Sequence, residues 1–203
     1  MELVTEPTVI SIDPGGTTGW SVMTVHPDAL LDPDVPILAN FIHRENGQIR
    51  AIPTLANPRA TPKARDLSEE ERKCVRILMM DVILKWPGAV IVIEDFILRK
   101  KSMDRELLSP VRLTAALEWA IDASGFPYYI DRQAPSEAKS QITDERMKRW
   151  GLYKRAGGME HARDADRHSI LYLRKCKQNG GKRGLAWPHL FNLDGSPKVY
   201  VAA

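Results

Sequence analysis

Ile10-Ser11-Ile12-Asp13-Pro14-Gly15-Gly16-Thr17-Thr18-Gly19-Trp20 decides how this chain is read. An apolar strand delivers one carboxylate into a glycine-rich turn, and a second apolar stretch follows. Glycines let the backbone turn tightly and approach a ligand closely. A buried acid at a strand's end needs a cation to offset its desolvation. The pattern points to chemistry on a phosphate with a metal ion. An aspartate before Pro-Gly is also ordinary turn chemistry, so the reading depends on further acidic positions.

Two such positions follow. Ala89-Val90-Ile91-Val92-Ile93 is a continuous apolar run, as expected for a strand covered on both faces, and it ends in Glu94-Asp95. Alternation turns Asp95 to the opposite face, which makes Glu94 the candidate ligand. Downstream, Glu160-His161-Ala162-Arg163-Asp164-Ala165-Asp166-Arg167-His168 opens a helix whose apolar side continues through Ile170, Leu171 and Leu173. Residues three or four apart share a helix face, so His161, Asp164 and His168 point one way and Asp166 another. Asp13, Glu94, His161 and Asp164 form the candidate set. His161 reads equally as a helix-start residue satisfied by backbone groups, while His168 and Asp166 read as packing residues, with a supporting role behind the catalytic groups as the alternative for either. Phosphodiester hydrolysis commonly uses two divalent ions about 3.5–4 Å apart. Magnesium suits the oxygen ligands, and manganese accepts an imidazole more readily.

Around these motifs, alternation predicts strands at 8–13 and 19–25 and a third at 37–43. The polar stretch 44–67, carrying Pro53, Pro58 and Pro62, reads as an excursion without its own core. Ser68-Glu69-Glu70-Glu71 fits a capping box, followed by a helical stripe of Val75, Leu78, Met79, Val82 and Ile83. Further expectations are a helix at 107–124, a strand at 126–131, a helical stretch from Pro135 containing Lys139, and another from Thr143 to about Gly151.

The chain has 203 residues, 43% of them apolar, which suits one domain with a continuous core. No apolar run approaches the roughly 20 residues of a membrane span, and the first residues lack the features of a secretory signal. A cytoplasmic location is expected. Cys74 and Cys176 stand far apart in helical contexts, which argues against a disulfide framework or a zinc motif. The net charge of +3 conceals an asymmetry: residues 1–50 hold seven acids against two bases, so the remainder carries +8. Arg174, Lys175, Lys177, Lys182 and Arg183 form one basic cluster. Arg99, Lys100, Lys101 and Arg105 form another, directly after Glu94. A polyanion such as DNA is the natural partner, although either cluster alone also reads as a solvated surface. Phe96 and Leu107 read as core or interface residues.

Ile12-Asp13-Pro14-Gly15, Ile93-Glu94 and His161-Ala162-Arg163-Asp164-Ala165 together resemble the motifs of the RuvC family of Holliday junction resolvases, within the ribonuclease H-like superfamily. Residues 135–151, with Lys139 and Lys148, resemble that family's segment before the last helix, where basic residues are associated with binding DNA. The resemblance runs from about residue 8 to 176. It implies an α/β ribonuclease H-like mixed sheet with antiparallel first strands and flanking helices. The nuclease domain would span 1–178, with an insertion around 44–67 and a C-terminal extension at 179–203. The implied activity is that of a metal-dependent, structure-selective endodeoxyribonuclease cleaving branched DNA, above all four-way junctions. Asp13, Glu94, His161 and Asp164 would be its catalytic and metal-binding residues, holding two Mg2+ or Mn2+ ions. Arg99, Lys100, Lys101, Arg105, Lys139 and Lys148 would be its DNA contacts. A homodimer in a bacterial or phage-infected cytoplasm is implied as well.

Three alternatives stay open. The same fold could serve a broader flap or RNA–DNA hybrid nuclease. Actin-like and sugar-kinase-like ATPases also begin with an Asp-x-Gly turn, though they usually need two domains and a second glycine-rich loop. The third is a noncatalytic DNA-binding module.

Overall fold

The computed structural model describes residues 3–52, 63–96, 106–153 and 159–198. Five strands form one mixed sheet in the order β3-β2-β1-β4-β5. β1 (Thr8–Asp13) and β2 (Thr17–Val25) make an antiparallel hairpin across the glycine turn, with Asp13 opposite Gly19. β3 (Phe41–Arg50) adds antiparallel to β2, whereas β4 (Val90–Glu94) and β5 (Tyr129–Gln133) continue the other side in parallel. This is the mixed sheet with antiparallel first strands that the sequence leads one to expect.

Strand alternation divides the core in two. Ile10, Ile12, Val22, Ile91 and Ile93 face α2 (Ala64–Ile77) and α3 (Ser109–Ala123). Val9, Met23, Val25, Val90 and Val92 face the long helix α6 (Glu160–Gln178). Three short helices, α1 (Asp28–Leu31), α4 (Pro135–Gln141) and α5 (Asp144–Arg149), flank α6. α2 widens into a π-helical turn at Leu78–Val82, a register change that keeps Leu78, Met79, Val82 and Ile83 all buried. Among the described residues no helix is long and apolar enough to cross a membrane.

Several boundaries differ from the sequence reading. Ile37–Asn40 is a 3-10 turn, and the third strand is Phe41–Arg50, so the proposed insertion at 44–67 begins as sheet. Its polar residues form a strand because every backbone position from Thr17 to Thr24 of β2 pairs with it; the pairing does not require an apolar face. Residues 53–62, with Pro53, Pro58 and Pro62, lie outside the described residues. α2 starts at Ala64, which places Ser68 inside the helix and leaves its capping-box role unused. The fifth strand starts at Tyr129, after the turn that Gly125 makes at φ +72.

The chain after 178 shares the core of the rest. α7 (Gly180–Ala186) leads to Trp187 and Phe191, both fully buried against Tyr172 of α6 and the sheet. Trp187 Nε1 donates to the Thr8 carbonyl at 3.1 Å. Arg183 is buried and donates to the carbonyls of Leu30, Cys176 and Gly195. No break in the core falls at 178, because large aromatic side chains beyond it cover the end of β1. Tyr200 lies outside the described residues.

α6 is tied to the sheet by polar groups as well as by packing. Asp166, with no exposed surface, accepts from Ser21 Oγ at 2.8 Å, Arg44 Nη2 at 2.6 Å and Asn46 Nδ2 at 2.6 Å. Ser169 Oγ meets Ser11 Oγ at 2.8 Å. Burial pushes the Asp166 carboxyl above its ordinary range, against the opposing pull of Arg44, Ser21 and Asn46. Removing one partner of such a pair strands the other groups. Asp166→Ala should cost about 3 kcal/mol, the lower end for a broken buried pair because Arg44 keeps some solvent access. The expected fall in Tm is about 6–12 °C by calorimetry.

Candidate active site

Two of the four candidate residues reach one end of the sheet by simple register. Ile12 pairs with Ile93, so Asp13 and Glu94 end adjacent parallel strands side by side, and Glu94 pairs in turn with Gln133 of β5. Asp13 shares the face of Val9 and Ser11, and Glu94 shares that of Val90 and Val92. Both therefore point toward α6. Asp95 is turned away, as alternation requires, and lies near Arg132 at 3.6 Å.

α6 supplies the remaining groups. Its first turn lies against β2 with no room to spare: a Cβ on Gly19 would stand 2.0 Å from the His161 carbonyl oxygen. This glycine permits close approach of a helix, in addition to shaping the turn. His161 Nδ1 meets Asp13 Oδ2 at 2.8 Å. The same helix face carries Asp164, whose carboxylate accepts from Lys139 Nζ at 2.9 Å and from Arg167. Arg167 also bridges to Asp144 and donates to the Ile142 carbonyl, fixing α5 and the end of α4 beside the site.

Each acid thus has a cationic or imidazole partner, and the electrostatics show how crowded the edge is. Burial raises the Asp13 carboxyl; the His161 hydrogen bond opposes that shift, while Glu94 and Asp164 reinforce it. The hydrogen bond to Asp13 lifts the His161 imidazole above its usual range, against partial burial. Burial alone would lower the Lys139 ammonium, but Asp164, with Glu94 and Asp13 behind it, lifts it instead. Asp13, Glu94, Asp164 and Lys139 therefore act within one electrostatic neighbourhood.

Among the described residues, no three carboxylate, imidazole or thiol groups stand close enough together, as placed, to hold one ion. The donor chemistry nevertheless fits a hard divalent cation: three carboxylates and one imidazole, with the central acid destabilised by burial and by its neighbours' charge. Asp13, Glu94, Asp164 and His161 are the residues that would hold it.

His168, which the sequence reads as packing with a supporting role beside the site as the alternative, is buried one turn beyond Asp164. Its Nε2 lies 2.7 Å from Glu94 Oε2, and its Nδ1 lies 3.0 Å from Gln133 Oε1. It orients the Glu94 carboxylate from behind. The helical spacing placed His168 on the correct face, but only the sheet order brought Glu94 and Gln133 opposite it. Asp166 is structural, as expected.

The proposed DNA contacts divide. Lys139 sits at the acidic edge. Lys148 is exposed and lies over the Tyr153 ring at 4.9 Å, with Arg163 over the same ring at 4.6 Å. Arg99, Lys100, Lys101 and Arg105 lie outside the described residues. A depression of about 460 Å3 adjoins Asp164, lined by Lys139, Arg163 and Arg167 among others. The second basic cluster is not one open cationic patch: Lys175 pairs with Glu137 at 2.8 Å, Lys182 pairs with Asp131 at 2.8 Å, and Arg183 is buried.

Comparison of the fold with solved structures gives matches to RuvC of Thermus thermophilus. Its complex with a Holliday junction substrate is 18% identical, with a TM-score of 0.51, covering 85% of this chain and 96% of that one. The fold is ribonuclease H-like. A second structure of Thermus thermophilus RuvC is 18% identical with a TM-score of 0.47, covering 83% of this chain and 96% of that one. No protein-family model matches the sequence, and no curated protein matches it.

If His168 sets the orientation of Glu94, His168→Gln should leave the circular dichroism spectrum intact and weaken Mn2+ binding in calorimetric titration by about 10–100-fold, as loss of a ligand's hydrogen-bonding partner does in other metal sites. Unchanged Mn2+ affinity would confine His168 to packing.

Proposed function

We propose that this protein is a divalent-metal-dependent endodeoxyribonuclease that cleaves branched DNA, with four-way junctions as the preferred substrate. The observation that carries the reading is the placement of Asp13, Glu94 and Asp164, from two strand ends and one helix, within electrostatic reach of one another at one end of the sheet, beside His161 and Lys139. The ribonuclease H-like fold supports it, as does the junction-bound state of the similar RuvC structure.

Two Mg2+ or Mn2+ ions held by Asp13, Glu94, Asp164 and His161 would supply positive charge to the phosphate and acidify a water molecule. The chain's own residues do the rest. His161, half exposed at the mouth of the site and hydrogen-bonded to Asp13, holds or passes a proton next to the scissile phosphate. Lys139, also half exposed, balances the acidic edge and offers its ammonium to a backbone phosphate. Lys148, with Arg99, Lys100, Lys101 and Arg105, extends the contact along the DNA. His168 keeps Glu94 in one orientation.

The reading includes a homodimer. α3 and the residue that precedes it present an exposed apolar strip of Leu108, Val111 and Trp119, the last 76% exposed, and a second copy is the partner proposed for it. Trp119→Glu should then shift the protein from dimer to monomer in light scattering, with its thermal unfolding essentially unchanged.

The decisive assay offers four-way junction, duplex, flap and RNA–DNA hybrid to wild type and to Asp13→Asn, Glu94→Gln and Asp164→Asn, with magnesium, manganese or chelator. Paired symmetric nicks in the junction are expected from wild type with either metal, and none from the variants. Cuts confined to flaps or hybrids would favour the broader nuclease. Because burial raises the Asp13 carboxyl, ionising it in the folded state opposes folding, and stability is lost as the pH rises above the unfolded pKa. Asp13→Asn should therefore abolish cutting while leaving Tm equal to or above that of wild type.

A further inference from the structure

A cleft of about 580 Å3, within the range of ligand sites, lies between the stretch at 31–38 and the C-terminal half of α6, with α5 closing one side. Leu31, Ile37, Leu38, Trp150 and Ile170 make its apolar walls, all belonging to or packed against the α6-side core. Three cations, Arg146, Arg174 and Lys177, also line it, with Pro33, Pro36 and Gln178, and no acid is part of the lining. Asp32 and Asp34 adjoin Pro33 in sequence but do not line the cleft.

Among the described residues none of these three cations pairs with a carboxylate. Arg146 donates to the Gln141 carbonyl and Lys177 to the Val35 carbonyl at 2.6 Å, both neutral acceptors. Their charge is therefore left for an external anion. Arg174 lies ten residues beyond Asp164 on α6, about 15 Å along the helix axis, so the cleft is separate from the acidic edge.

Unneutralised cations around aliphatic walls select a ligand that is anionic and apolar at once. We propose that the cleft binds a short acidic peptide segment of a partner protein, with one bulky apolar side chain seated between Leu38, Trp150 and Ile170 and its flanking carboxylates on Arg146, Arg174 and Lys177. A nucleic-acid backbone would satisfy the cations but leave phosphates and sugars against leucine, isoleucine and proline. The peptide uses both halves of the lining.

The test is fluorescence anisotropy of the full chain with a fluorescein-labelled Asp-rich peptide containing a single Phe. Saturable, salt-sensitive binding is expected, weakened about tenfold or more, that is by ~1.4 kcal/mol or more, when the peptide Phe becomes Ser. Arg174→Glu, and separately Leu38→Ser, should weaken it similarly. Junction cleavage by Arg174→Glu should match wild type, which separates this site from the nuclease reading. Any of four results would overturn the proposal: no saturable binding, equal binding of the Ser peptide, indifference to both variants, or displacement of the peptide by a single-stranded oligonucleotide as effectively as by unlabelled peptide.

Discussion

The carboxylate of Asp166 is the point on which the rest of the structure depends. It is buried at the meeting of α6, β2 and β3, where Ser21, Arg44 and Asn46 all donate to it. Apolar packing alone would hold α6 on the sheet but would tolerate sliding, since Val, Ile and Leu contacts have little directional preference. A buried ionised group has few acceptable positions because each displaced hydrogen bond costs the full desolvation of its partner. The Ser169–Ser11 bond and the absence of a side chain at Gly19 set the same register. α6 is thereby fixed so that His161 meets Asp13 and His168 meets Glu94.

That placement explains how so many acids can share one edge. Asp13, Glu94 and Asp164 repel one another, and the chain offsets the repulsion locally through His161, His168, Lys139 and Arg167. Lys139 and His161 are half exposed, and the groups behind them are buried. The edge therefore has a rigid back and an adjustable front. A rigid back suits an arrangement that must orient charge, and an open front suits an extended polyanion.

Basic residues close in sequence have separate duties in the fold. Arg183 spans three backbone carbonyls and holds the last described segment, while Lys175 and Lys182 neutralise acids on neighbouring elements. Arg174 and Lys177 turn instead toward an apolar cleft. Counting charge along the chain could not separate these roles, because helical geometry sends residues one or two apart to different faces.

Local pattern in the sequence determined the central strands, the parity that pairs Asp13 and Glu94 on one face and turns Asp95 away, and the helix face shared by His161, Asp164 and His168. These follow from periods of two and 3.6, which act over a few residues. The third strand was legible only in its first residues, because a polar edge strand is held by backbone pairing with β2 and carries no apolar alternation. The tail was not legible as core, because Trp187 and Phe191 acquire meaning only from the strand end and helix they cover. Tertiary structure alone decided that His168 supports Glu94, that Lys139 faces Asp164 and that Asp166 anchors α6. Each of these contacts joins residues far apart in sequence, and such contacts depend on strand order and helix placement, which short-range periodicity does not encode.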